Sequence, residues 1–218
     1  MKNAEEILQE LFERYSPLKI CEKDIRETYT RLCSCYRLGG HVLVTGNGGS
    51  SADSLHIVGE LMKSFRFHRS IGAEERAKLT EMYGDEGTRL AGLLEGALSA
   101  IALPTELALV TAYCNDSTTD AVFAQEVYGY GRPGDVLIAI STSGNSQNIL
   151  LACMAAKLKG MHIVGLTGET GGQMPAYCDV TIRVPARMTF AVQEYHLPVY
   201  HALCAMLEAT FFTEDIEC

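Results

Sequence analysis

Five short runs rich in apolar residues punctuate this chain: His41–Thr45, Ser99–Leu103, Val136–Ile140, His162–Leu166 and Val180–Val184. They are largely apolar rather than alternating, as strands buried on both faces require. Segments with helical periodicity lie between them, at about 50–67, 106–113, 120–130 and 145–159, and 191–212 closes the chain. Strand followed by helix, repeated, predicts a parallel sheet covered on both sides. The fold class expected is therefore α/β, a three-layer sandwich around a five-stranded parallel sheet. Apolar positions three and four apart also predict helices over 3–15 and 21–37, ahead of the first strand, with Gly39-Gly40 ending the second. This divides the chain into an N-terminal helical extension, 1–38, and one α/β domain, 39–213, with no linker, repeat or low-complexity tract. Residues 70–98 form a charged, helix-compatible insertion of uncertain placement.

Composition narrows the function classes. A formal charge of −9 argues against a nucleic-acid binder, which presents a basic face, and against an anionic membrane surface. No apolar run is long enough to span a bilayer, and the N-terminus has no signal core, so a cytoplasmic location is expected. The eight cysteines, Cys21, Cys33, Cys35, Cys114, Cys153, Cys178, Cys204 and Cys218, include no CxxC pair and read as free thiols.

In a parallel α/β sheet, ligands sit beyond the carboxyl ends of the strands. After the first strand comes Thr45-Gly-Asn-Gly-Gly-Ser-Ser51. Asn47, Gly48, Gly49 and Ser50 there can bring backbone N–H groups to an anion at a helix start. A tight turn with no ligand explains the loop equally well. After the third strand, Ser141, Thr142, Ser143 and Ser146 put four hydroxyls into six residues. Helix capping needs only one, so a phosphate cradle is the better reading. Asn115-Asp116 follows the second strand across a short helix, where turn chemistry alone accounts for it.

Among titratable groups, His56 and Glu60 share a helix face, being four residues apart. Gln193 and His201 lie roughly on one side of the last helix, with Pro198 between them removing a hydrogen bond to Glu194 and predicting a kink. Taken singly, each reads as an ordinary core or surface polar residue.

Together, GNGGSSADSLHIVGEL at 46–61, CND at 114–116, ISTSGNSQNI at 140–149, GLTGETGGQM at 165–174 and VQEYHLPVYH at 192–201 resemble the sugar isomerase (SIS) domain family, and most closely its phosphoheptose isomerase branch. The resemblance implies an SIS-type, flavodoxin-like topology and an aldose–ketose isomerase converting sedoheptulose 7-phosphate to D-glycero-D-manno-heptose 7-phosphate through an enediol. It implies that Asn47, Gly48, Gly49 and Ser50 touch the sugar, that Asn115 and Asp116 bind its hydroxyls, and that Ser141, Thr142, Ser143 and Ser146 hold its phosphate. Glu60 and His201 resemble the catalytic acid/base pair. His56, Glu60, Gln193 and His201 resemble ligands of one Zn2+ per subunit; a competing picture has these four bind the sugar directly. A homotetramer with sites at subunit interfaces is implied as well.

Three positions depart from the family pattern. Phe190 stands where an acid is common, Ser64 replaces an arginine four residues after the catalytic glutamate, and Pro198 is unusual in the last helix. Lys63, Arg66 or Arg69 could substitute for the missing arginine. The insertion near 70–98 replaces a short connection and is expected at a rim or interface. These departures leave the reaction type standing but open the identity of the sugar, so an isomerase for another sugar phosphate is one alternative; a non-catalytic tetrameric SIS adaptor that binds the replication initiator is another that the resemblance allows. Glu60 argues against the adaptor, which lacks the catalytic carboxylate.

Overall fold

A computed structural model describes residues 2–212, so Cys218 and the last residue of the expected 39–213 domain lie outside it. Five strands form one parallel sheet: β1 (Val42–Gly46), β2 (Ala100–Ala102), β3 (Val136–Ile140), β4 (His162–Thr167) and β5 (Val180–Arg183), in the order β2-β1-β3-β4-β5. That is the flavodoxin-like order, and its switch point falls between β1 and β3. Register is continuous there, with Val42 beside Val136 and Gly46 beside Ile140.

Successive strand residues alternate between two buried faces, as a period of two demands. Val42, Val44, Ile138, Ile140 and Val164 point to one side, with α1 (Ala4–Arg14), α2 (Glu22–Arg37), α3 (Gly49–Met62) and α8 (Thr189–Phe211). Leu43, Leu137, Ala139 and Ile163 point to the other, covered by α6 (Val122–Tyr130) and α7 (Gln147–Leu158). The N-terminal helices share the first of these cores: Leu8, Leu11, Ile25 and Leu32 are buried among α8 and sheet residues. Asn3 starts α1 with a reciprocal capping box to Glu6.

The insertion differs from a single helix. α4 (Ala73–Ala91) doubles back at Gly84, whose φ of 59° suits only glycine. Gly87 packs so closely on the Leu79 carbonyl that no side chain fits, and the Thr80 and Thr88 hydroxyls meet at 3.0 Å. Only Gly87 and Ala91 are buried in this helical hairpin. Its base is closed by an antiparallel bridge between Ser70 and Glu95. α5 (Leu107–Asp116) lies on the surface with none of its residues buried. Among the described residues, no helix is long and apolar enough to cross a membrane.

Candidate active site

α3 and α8 run side by side in the same direction, and this sets the site. Gly49, opening α3, meets Gln193 in the first turns of α8: a β-carbon on Gly49 would lie 2.3 Å from the Gln193 amide nitrogen. Two turns further, His56 of α3 faces Tyr200 and His201 of α8. The Nε2 atoms of His56 and His201 are 3.4 Å apart, and His56 Nε2 lies 3.1 Å from Glu60 Oε1. The second carboxylate oxygen of Glu60 is buried without a partner. His56 and Glu60, and His201 far from them in sequence, thus come together, whereas Gln193, grouped with them by the family resemblance, lies about two turns away beside Gly49.

The structure adds a chain that the sequence did not mark. The Tyr200 hydroxyl donates to Asp53 Oδ1 (3.2 Å) and contacts His56 Nδ1 at 3.1 Å, fixing the imidazole from behind. Asp53 sits one turn before His56, and this spacing was the available signal. Burial raises the Asp53 carboxyl above the ordinary range, opposed in part by the Tyr200 hydrogen bond. Burial, and then the neighbouring His56, lower the pKa of His201.

The two loops meet across the switch point. Asn47 and Asn148 exchange amide hydrogen bonds, both 2.9 Å, joining the loop after β1 to the first turn of α7. Ser141 and Ser146 hydroxyls stand 3.1 Å apart, and Ser143 Oγ accepts from the Asn145 amide. Gly144, at φ 67°, is pressed onto the Gly171 carbonyl, while Gln173 and Met174 amides donate to its own carbonyl. The Gly-rich turn after β4 therefore holds the serine loop in shape at the N-terminus of α7, where an anion is favoured.

Asn115 and Asp116 are exposed at the end of α5, and Asn115 donates to its neighbour Asp116. Phe190 is exposed, and α8 passes through Pro198 as one helix. At the position lacking the expected arginine, Ser64 Oγ accepts from the Arg69 amide. Lys63 donates to the Ser64 carbonyl and Arg69 is fully buried. Arg66 alone of the three lines a cavity with His201, of about 320 Å³, bounded also by Arg14, Tyr15 and Phe65.

Among the described residues, no three His, Cys, Asp or Glu side chains are already arranged to enclose a metal ion. The donor types nevertheless suit zinc: two imidazoles and a carboxylate with one buried, unpartnered oxygen, with an amide at the other end of the helix pair.

Residues 76–168 match the family model of the SIS domain. A phosphoheptose isomerase of Rhodospirillum rubrum is 39% identical over 188 residues, 86% of each chain. Another, of Aneurinibacillus thermoaerophilus, is 36% identical over 86% of this chain and 82% of its own. The chain belongs to the phosphoheptose isomerase family. Its fold agrees: phosphoheptose isomerase from Neisseria gonorrhoeae superposes with a TM-score of 0.72 at 32% identity, covering 92% of this chain and 94% of that one. The enzyme of that name from Francisella tularensis gives 0.71 at 29% identity over 92% and 95%. The strand-end loops and the N-terminal ends of α3 and α7 lie at the carboxyl edge of the sheet, where this architecture binds ligands, while α3 and α8 carry His56, Glu60 and His201 along one face of it.

Proposed function

We propose that this chain isomerises sedoheptulose 7-phosphate to D-glycero-D-manno-heptose 7-phosphate. The observation that carries the reading is that His56 lies within hydrogen-bonding distance of both Glu60 and His201, on the helix that begins at the glycine loop and the helix that closes the fold. The sugar phosphate rests at the start of α7, among the hydroxyls of Ser141, Thr142, Ser143 and Ser146 and the helix N-terminus. Asn47, Gly48, Gly49 and Ser50 face the sugar, and Asn115 and Asp116 complete its hydroxyl contacts.

In the reaction Glu60 takes a proton from C1 of the ketose and returns it to C2, forming and then consuming an enediol. His201 moves the other proton, from O1 to O2, so that the aldehyde forms at C1 and the hydroxyl at C2. Tyr200 and Asp53 hold His56 against this pair. His56, Glu60 and His201 would bind one Zn2+ per subunit, and Gln193, which lies beside Gly49 toward the start of the helix pair, would have to reach them as the fourth ligand; such an ion would supply charge stabilisation to developing oxyanions. A cytoplasmic homotetramer is the assembly we assign, with sites completed where copies meet.

The test is direct. Purified protein is incubated with sedoheptulose 7-phosphate, with and without chelator, and product is followed by NMR. Formation of the manno-heptose 7-phosphate, reduced by the chelator, supports both the reaction and the metal. Activity untouched by the chelator removes the metal alone. No turnover of this heptose, with turnover of a pentose or hexose phosphate in a parallel panel, transfers the site to another sugar.

A further inference from the structure

Glu60 occupies a precarious place on its helix. Only Leu61 and Met62 follow it in α3, and Lys63 has already left helical geometry. The last carbonyls of a helix lack intrahelical partners, and such turns fray. A carboxylate that must meet one carbon atom would sit on the loosest turn of its element.

Arg69 closes that turn. Its guanidinium is fully buried and donates Nη2 to the Glu60 carbonyl (2.9 Å) and Nη1 to the Leu61 carbonyl (3.0 Å). Its Nε donates to Glu208 Oε1 at 2.7 Å, and Glu208 is also fully buried. The Glu208 carboxylate accepts in addition from the Phe65 and Arg66 amides, both at 2.9 Å. Glu208 lies on α8, about two turns beyond His201. One planar fork therefore ties the backbone of Glu60 to the helix that carries His201. A buried ion pair is a costly device, and apolar side chains of like size often stabilise as well or better. Stability alone gives little reason for it here, while a fixed distance between two helices does.

We propose that Arg69 and Glu208 are a positioning pair for the isomerisation, holding Glu60 in register with His201 without touching substrate. This rests on the reading of Glu60 and His201 given above. The fork geometry is the essential part: a lysine keeps the charge but cannot reach two carbonyls and a carboxylate at once.

The experiment compares wild type, Arg69→Lys, Glu208→Gln and Val127→Ala, the last a core truncation on the opposite face of the sheet. Each is assayed on sedoheptulose 7-phosphate, with kcat expressed per site titrated by sugar-phosphate binding, and α3 is probed by amide exchange over 57–63. For both pair variants kcat per titrated site is expected to fall about tenfold or more, with KM within about twofold, because small misplacements cost catalysis before binding. Exchange rises in the last turn of α3. Val127→Ala, whatever it costs in melting temperature, keeps kcat per titrated site. If a single variant fails to fold, the double change R69M/E208L replaces both with apolar groups and is read in the same way. Unchanged kcat per site in the pair variants, or an equal fall in Val127→Ala, overturns the proposal. An inactive wild type instead counts against the proposed reaction, and the exchange measurement still decides whether the pair holds the turn.

Discussion

Glu60 carries the sharpest prediction at the scale of single residues. Glu60→Gln keeps the shape and the hydrogen-bonding reach of the side chain but removes the base. Turnover is expected to fall by at least about a hundredfold, within the usual contribution of a general base, while calorimetry shows sugar-phosphate affinity within a few fold of wild type. Turnover near the wild-type rate would defeat the assignment of the base. A second residue matters for stability. Glu126 is almost fully buried on α6 with both carboxylate oxygens unpartnered. Burial, with Glu106 nearby, pushes its pKa up to about 7. A carboxyl raised above its unfolded value favours the fold at low pH, and the advantage is lost as pH climbs from about 4.5 through about 7. Glu126→Gln should therefore stabilise the protein at pH 8 by about 1–3 kcal/mol, and leave it nearly unchanged at pH 5. Thermal melts at the two pH values check this, and equal shifts at both would remove the argument. Glu126 was not legible in the sequence, because nothing in a nine-residue apolar helix announces that its one acid points inward.

Elements, rather than residues, explain how much of the site could be read in advance. The helix α3 and the strands β1 and β3 followed from periodicity and from glycine placement, so His56 and Glu60 were found on one face and the serine loop at a helix start. What periodicity does not contain is which helices lie side by side. The parallel α3–α8 pairing brings His201 to His56, which only the resemblance to a family foresaw, and brings Gln193 to Gly49, which nothing foresaw. Asp53, Tyr200 and Glu208 were missed, and Arg69 was read only as a stand-in for the missing arginine, for the same reason: each matters through a partner on another element. The loops give two contrasting tests. Gly49→Ala puts a methyl against the flexible end of Gln193, which can swing away, so folding should survive with a melting temperature within about 3 °C and turnover should drop. Gly144→Ala collides with the Gly171 backbone at a left-handed φ, so nothing nearby can yield. A loss of about 1–3 kcal/mol in stability is expected there, with sugar-phosphate binding weakened together with it. Thermal melts and binding isotherms on both variants measure the contrast, and similar behaviour of the two would contradict the loop geometry.

For the molecule as a whole, the hairpin of α4 is the feature that none of the motifs at 46–61, 114–116, 140–149, 165–174 and 192–201 covers. It was expected as a helix of uncertain place; glycine at 84 and 87 is what lets it fold back, a signal present in the sequence but ambiguous among several charged turns. Within one chain it contributes almost nothing to the core, yet Met82, Tyr83, Leu90, Leu93 and Leu94 stand exposed on it and just after it. Exposed apolar residues of this kind are what a surface covered by a second copy would present, and the homotetramer proposed above predicts that contact here. Because Ser70 and Glu95 are bridged and the Gly96 amide donates to the Arg69 carbonyl at 2.8 Å, the hairpin can be replaced by a short glycine–serine turn without stretching its base. The shortened chain should keep the spectrum of the α/β body, losing only the helical signal of the hairpin. It should also sediment as a smaller species than the full chain, since its exposed apolar residues are gone. An unchanged sedimentation coefficient per unit mass would place the assembly contacts on the body, on surfaces such as α5 with its exposed Leu107 and Leu109. Loss of the fold itself would show instead that the α/β body depends on the hairpin.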